Sequence, residues 1–294
     1  MGKQLGQHFL KNKRKIRKIV DALELQNGDA IVEIGPGNGT LMKEMSQRNK
    51  ELRIIGIEKD KELVNKLLSS KFIRNTNIEI IEGDILEILP KLTQLENLRA
   101  CPCVGYNKEG GEMNIPKVYL FPPTDEIASF AYKLVGNIPY YITGRLFRIL
   151  GEVEKKPKLI ILTIQKEVAE RLVVKPPNMN ILGASVQVWG DVKIIEQIPK
   201  ENFNPVPKVD SAVIKIAPRK NKIPKGYYQL VKILFRHPRK TILNNLSISL
   251  EKEVVSKKIK DAGFDPKIRP QNLSVENIKK LAGVLLCKNN QSVH

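Results

Sequence analysis

A chain of 294 residues with 41% hydrophobic content is long enough for one large or two ordinary domains with a substantial core. Fifty Lys and Arg against 31 Asp and Glu leave a formal charge of +19, which excludes an acidic solvating protein and points to a polyanionic partner, nucleic acid first. No run reaches the roughly 20 apolar residues of a membrane span, no signal-type apolar core opens the chain, and three cysteines suit a reducing compartment, so a cytoplasmic protein without a membrane partner is expected.

The charge is clustered. Residues 1–18 carry seven basic side chains and residues 215–250 carry nine, with no acid in either stretch. Both should face phosphate. Cys101 and Cys103 form a C-x-C pair, but Cys287 and the scattered histidines complete no zinc spacing, and no metal is expected.

In chain order, Gln4 to Leu10 precede a basic amphipathic helix with Ile16, Ile19, Val20 and Leu23 on one face, ended by Asn27-Gly28-Asp29. Ala30 to Ile34 then read as a buried strand that runs into Gly35-Pro36-Gly37-Asn38-Gly39 and a helix from about Thr40. This strand, glycine loop and helix open a nucleotide-type crossover unit, in which Gly35 and Gly37 allow close approach of a ligand. A dinucleotide loop reads G-x-G-x-x-G and aims its helix at a pyrophosphate. Here the spacing is G-x-G-x-G with Pro36 inside, which favours S-adenosylmethionine, a ligand without phosphate, over NAD.

Glu58, at the end of the strand Leu52 to Ile57, is placed to accept from both ribose hydroxyls, although taken alone it could also be a helix N-terminal charge. The third strand, Asn77 to Ile81, ends in Glu82-Gly83-Asp84, and Asp84 can accept from the cofactor's adenine amine. Residues 85–98 read as a helix. The stretch from about 99 to 129, with Cys101, Cys103 and Phe121-Pro122-Pro123, reads as an insertion on the surface.

The next strand runs through Val135-Gly136 into Asn137-Ile138-Pro139-Tyr140-Tyr141. The Asn137 side-chain oxygen and the Ile138 carbonyl can accept both hydrogens of a planar exocyclic amine, Pro139 stiffens the turn, and Tyr140 offers a ring for stacking. The bland alternative is a strand-end turn with a packed aromatic. A helix over Thr143–Leu150, a strand over Leu159–Ile164, a helix over Gln165–Val174 and a closing pair of antiparallel strands, Asp191–Ile198 and Ser211–Ile216, follow. In the Pro-rich connection, Phe203 either clamps a flipped base opposite Tyr140 or anchors the loop in the core.

After Pro224 the pattern is helical only, with candidates at Tyr227–Phe235, Thr241–Leu250, Glu253–Ala262 and Ser274–Leu286. Ser274 and Asn277 form an imperfect capping box. The division expected is a catalytic domain over 1–220 and a smaller helical RNA-binding domain over 221–294, with Arg236 to Lys240 as its basic edge.

Taken together, Gly6-Gln7-His8-Phe9-Leu10, Glu33-Ile34-Gly35-Pro36-Gly37, Ile57-Glu58, Gly83-Asp84, Asn137-Ile138-Pro139-Tyr140, Phe203 to Ser211 and Arg269 to Ser274 resemble the ribosomal RNA adenine dimethyltransferases that modify small-subunit RNA. The resemblance implies an α/β class I S-adenosylmethionine-dependent methyltransferase fold, Rossmann-like, with a mostly parallel seven-stranded sheet and a C-terminal all-α domain. It implies that His8, Leu10, Gly35, Glu58, Asp84 and Asn137 line the S-adenosylmethionine site, with Gln7, Gly37, Lys59 and Ile85 beside them, and that Asn137, Ile138, Pro139, Tyr140 and Phe203 form the catalytic set. The implied reaction is dimethylation of N6 on two adjacent adenines in a loop near the 3′ end of small-subunit ribosomal RNA, in ribosome biogenesis. The implied partner is that RNA or an assembling small subunit, with the protein a monomer.

Three positions depart from the family pattern, which usually has Asn at His8, commonly Asn at Tyr141 and Arg at Pro238. The insertion after Arg99 is also outside it. Two alternatives remain at this point: a large-subunit adenine methyltransferase of the macrolide-resistance type, and a non-catalytic ribosome assembly factor on the same fold.

Overall fold

The computed structural model describes residues 7–73, 76–92, 131–248 and 251–286. The expected insertion with its two cysteines, the end of the helix expected over 85–98, and Cys287 lie outside the described residues.

The chain divides into two compact units, Met1–Ala169 with Lys193–Pro218, and Glu170–Val192 with Arg219–His294. The first holds strands β2 (Ala30–Ile34), β3 (Arg53–Glu58), β4 (Ile78–Glu82), β5 (Tyr132–Asn137), β6 (Leu159–Gln165) and β9 (Ser211–Pro218), with β7 (Gly190–Ile198) from Lys193 onward. Their order is β4-β3-β2-β5-β6-β9-β7. The five strands from β4 to β6 are parallel, and β9 returns antiparallel to β6 with Ile160 opposite Ile216 and Gln165 opposite Ser211. Every residue of β2 is buried, as a strand covered on both faces requires, whereas the edge strand β7 is buried only at its two ends and alternates partly covered and exposed positions between them.

Register aligns the strand tips. Ile34 lies opposite both Ile57 and Gly136, Ile57 opposite Ile81, and Gly136 opposite Leu162. The next residues along these strands are therefore Gly35, Glu58, Glu82, Asn137 and Thr163, all leaving the sheet at one level. In open α/β sheets that carboxyl edge is where ligands bind.

Helices α1 (Lys13–Asp21), α2 (Thr40–Arg48) and α3 (Lys61–Leu68) bury their apolar stripes on the sheet. The face foreseen for α1, Ile16, Ile19, Val20 and Leu23, joins a core with Met42, Met45, Ile54, Val135 and Ile161. Asn12 caps α1 by accepting from the Lys15 amide at 3.2 Å, and Asp60 caps α3 through the Glu62 and Leu63 amides. Helices α4 (Ile85–Leu92) and α5 (Thr143–Glu152) follow β4 and β5. A small two-stranded sheet, β1 (Phe9–Leu10) with β8 (Phe203–Asn204), ties the N-terminal segment to the Pro-rich connection. The two strands lie almost 200 residues apart in sequence, so no local pattern announces their pairing.

The second unit holds most of the C-terminal helices. Residue Ala169 ends the first unit within α6 (Lys166–Val173), and α7 (Ile181–Gln187) was not foreseen at all. Asn180 caps α7 by accepting from the Gly183 amide at 2.9 Å. The segment 170–192 goes with the C-terminal helices because the Tyr227 hydroxyl donates to the Ala184 carbonyl, Asn221 donates to Val188, and the Met179 amide donates to Gln271.

Helices α8 (Tyr227–Leu234), α9 (Ile242–Leu246), α10 (Lys252–Asp261) and α11 (Val275–Leu286) complete the unit. Ser274 and Asn277 close their capping box in both directions, at 2.9 and 3.1 Å, so Asn serves where Glu is usual. Fully buried Asn245 accepts from the His237 amide and donates to its carbonyl, which pins the exposed basic edge Arg236 to Lys240. No helix among the described residues is long and apolar enough to cross a membrane.

Candidate functional site

The strand tips open into a cleft of about 890 Å³ counting its mouth, lined by Gln7, His8, Phe9, Gly35, Gly37, Glu58, Lys59, Asp84, Ile85 and the run Asn137 to Ile142, with Phe203 behind. Residues from four parallel strands and the N-terminal segment thus meet at one place, as the sequence spacing requires.

One half of the cleft is the glycine loop and its acids. Gly35 and Gly37 sit at φ +60 and +58, a region that L side chains avoid, and a Cβ on Gly37 would come within 2.6 Å of the Phe9 ring. The Gly37 amide donates to Glu58 Oε2 and the Asp60 amide to Glu58 Oε1, both at 3.0 Å. Glu58 is 5% exposed. Each carboxylate oxygen retains a second acceptor site, so the group fits a diol laid across it while the loop stays bonded.

Asp84 accepts from the Leu86 amide at 2.9 Å and from Lys59 Nζ at 3.0 Å. Burial opposes its charge, but the Leu86 amide, Lys59 and then Arg145 hold the carboxyl below its ordinary value. Lys59 in turn rises above the usual lysine range through Asp84. Gln7 donates to Asp60 at 3.2 Å, which ties the N-terminal segment to the same loop.

The other half is the Asn137 turn. Asn137 Nδ2 donates to the main-chain carbonyl of His8 at 2.7 Å. That bond fixes the amide's orientation and leaves Oδ1 as its remaining acceptor. The Ile138 amide donates to the Thr163 carbonyl at 2.9 Å, Pro139 sits at φ −55, and the Thr143 hydroxyl returns to the Pro139 carbonyl at 3.3 Å. The turn is thereby held from both sides. Tyr140 is half-buried, its hydroxyl 3.4 Å from the Ser211 hydroxyl and its ring stacked on His8 with centroids 6.2 Å apart.

His8 Nδ1 lies 2.8 Å from the Pro205 carbonyl, which only accepts, so Nδ1 carries the proton. The departure at His8 therefore leaves its main-chain carbonyl serving Asn137, while the ring braces the Pro-rich connection.

Two expected residues sit differently. Leu10 is not among the cleft-lining side chains and packs against the core instead, while Phe9 faces the cleft, because neighbours along a strand point to opposite sides. Phe203 is 1% exposed and belongs to the core. Its ring closes the back of the cleft and anchors the loop, the second of its two sequence readings, rather than standing free to clamp a base.

Glu33 entered the sequence reading only as part of the stretch Glu33 to Gly37, with no role of its own. It is 2% exposed, its Oε2 finds no partner among the described residues, and burial together with the charge of Glu58 pushes it up to about 8, against a hydrogen bond donated by the Met42 amide. An acid in the middle of an otherwise apolar strand was the available signal.

The open positive-φ cradle, the paired main-chain donors on Glu58 and the ion-paired acid at Asp84 suit a ligand with a ribose and an adenine and no phosphate. S-adenosylmethionine fits that description.

Comparison with known proteins agrees. A family model described as ribosomal RNA adenine dimethylase matches residues 1–285. The chain is 33% identical over 286 residues to the ribosomal RNA small subunit methyltransferase A of Dehalococcoides mccartyi, covering 95% of this chain and 86% of that one. It is likewise 33% identical over 284 residues to the protein of the same name from Mycoplasmopsis pulmonis, covering 95% and 96%. Among solved structures, a dimethyladenosine transferase from Plasmodium falciparum aligns with a TM-score of 0.69 at 23% identity, over 93% of this chain and 96% of that one. The 23S rRNA methyltransferase ErmE aligns with a TM-score of 0.64 at 21% identity, over 94% and 99%. At those identities the two structures speak to the fold.

Proposed function

The chain belongs to the ribosomal RNA adenine dimethylase family and is an S-adenosylmethionine-dependent rRNA adenine N6,N6-dimethyltransferase; from that premise we propose that its substrate is small-subunit ribosomal RNA and that the cleft at the strand tips performs the transfer. The observation that carries the site assignment is the bond from Asn137 Nδ2 to the His8 carbonyl, which leaves Oδ1 free to accept from an amine.

The adenine amine is a poor nucleophile because its lone pair is delocalised into the ring. Asn137 Oδ1 and the Ile138 carbonyl accept its two hydrogens, which favours a geometry with the lone pair directed at the donor. Tyr140 presents its ring to the extruded base, and Pro139 keeps the two acceptors at a fixed spacing. S-adenosylmethionine, when bound, supplies a methyl group activated on a sulfonium, so no strong general base is required of the protein. Glu58 would take the ribose hydroxyls and Asp84 with Ile85 the adenine end, and the glycine loop would give the ligand room.

The names of the similar methyltransferases from Dehalococcoides mccartyi and Mycoplasmopsis pulmonis support the small subunit as substrate, and the charge of +19 suits an RNA. In this reading the helices from Tyr227 onward, with the basic edge Arg236 to Lys240, hold the RNA, and the protein acts as a monomer in the cytoplasm during ribosome biogenesis.

The test is incubation of purified protein and methyl-labelled donor with unmodified small and large ribosomal subunits in parallel. Label is expected in the small subunit alone. Label in the large subunit alone would give the substrate to the macrolide-resistance type of enzyme. Failure to bind the donor by calorimetry would leave only an assembly role.

A further inference from the structure

The cleft has a rim that the reaction does not use. Tyr141 follows Tyr140 directly, lines the mouth, and is 65% exposed. Arg145 lies four residues on, the third residue of α5, and is also exposed. Arg148, the next arginine of that helix, is committed to Glu152 at 3.0 Å. Arg145 makes no hydrogen bond or ion pair among the described residues, yet its field reaches Asp84, and Tyr141 in turn influences Lys59. Glu87 is a further acid that reaches Lys59.

An exposed aromatic ring at the mouth of the cleft, with an exposed guanidinium four residues on whose charge reaches Asp84, is a combination that single-stranded nucleic acid uses. The ring offers a face to a base of any identity. The cation answers the phosphate that joins that base to its neighbour. A cofactor wall would instead be a covered side chain, as Ile85 is at 5% exposure.

We infer that Tyr141 and Arg145 form a second nucleotide subsite, in which Tyr141 stacks on the base flanking the target adenine and Arg145 contacts the adjoining phosphate. The subsite rests on the reading of the cleft as an adenine methylation site, and it deepens that reading by assigning how the strand crosses the mouth.

The experiment compares Tyr141→Ala, Tyr141→Asn, Tyr141→Phe and Arg145→Ala in the full chain, each checked for an unchanged melting curve. KM for unmodified small subunits, donor affinity by calorimetry and the salt dependence of RNA binding are measured. Tyr141→Ala and Tyr141→Asn are expected to raise KM about ten-fold, the scale of one lost stacked base. Tyr141→Phe should stay near wild type, because the ring and not the hydroxyl is used, and donor affinity should not move in any of them. Arg145→Ala should reduce the slope of log affinity against log salt by about one contact.

The subsite is overturned if Tyr141→Ala weakens donor binding while KM holds, if Phe fails as badly as Ala, or if nothing changes. Wild-type protein that leaves small subunits unlabelled but methylates another RNA would end the substrate assignment alone. The same comparison on that RNA would then decide the subsite.

Discussion

The two halves of the cleft are built by different rules. In the half proposed for the donor the two acids are already engaged: Glu58 holds the Gly37 and Asp60 amides, and Asp84 holds the Leu86 amide and Lys59. In the target half the groups stand half open, with Tyr140 partly buried and Tyr141 65% exposed. There Asn137 is oriented by a carbonyl from the other end of the domain's sequence. A cofactor of fixed shape suits a pre-bonded cradle. An RNA base that must be drawn out of its stack, turned and methylated twice suits a frame of fixed acceptors around an adaptable rim.

That contrast is broken or sharpened by substitutions in each half. The largest effect belongs to Asn137→Ala, which removes one of the two acceptors proposed for the amine and the clasp on His8. Turnover should fall on the order of 10²–10³-fold or more, with donor affinity changed only a few-fold. Labelled transfer and calorimetry on the same preparation measure both, and a loss confined to donor affinity would move Asn137 into the other half.

Glu58→Gln comes next. Its amide would set a donor against the Gly37 or Asp60 amide, and donor affinity should weaken roughly ten- to hundred-fold while RNA affinity holds. A larger loss in RNA binding than in donor binding would erase the division.

The smallest effect is a pH dependence of stability. The folded carboxyl of Glu33 sits at about 8 against an ordinary 4.5, so the folded state keeps its proton through neutral pH. Its contribution is complete below about 4.5 and is lost as pH rises through about 8. Melting of the wild type between pH 6 and 9 should therefore drop by several degrees more than that of Glu33→Gln. Parallel curves for the two proteins would mean that Glu33 is charged at neutral pH.

The same contrast explains what the sequence disclosed. The donor half was legible because its parts are local: a buried strand, glycines at fixed spacing, and an acid at each following strand tip. The register of Ile34 with Ile57 and Gly136 then makes those local signals converge. The target half was legible only as far as Asn137 to Tyr140.

Its supports are long-range and left no periodic trace. The pairing of Phe9 and Leu10 with Asn204 and Phe203 decides which side chain faces the cleft and why Phe203 is buried. The helix Ile181–Gln187 was missed for a related reason. It is one short element whose grouping with the C-terminal helices depends on bonds such as Tyr227 to Ala184. Asn180, three residues before Gly183, was a capping signal that could have marked its start.

The identity of the methylated nucleoside tests the account most directly, since in the proposed site Asn137 Oδ1 and the Ile138 carbonyl accept from the amine at N6. Small subunits labelled over a time course should yield N6-methyladenosine first and N6,N6-dimethyladenosine at completion after digestion and mass analysis. Label on a ring nitrogen, on a ribose or on another base would contradict the role given to Asn137 and Ile138.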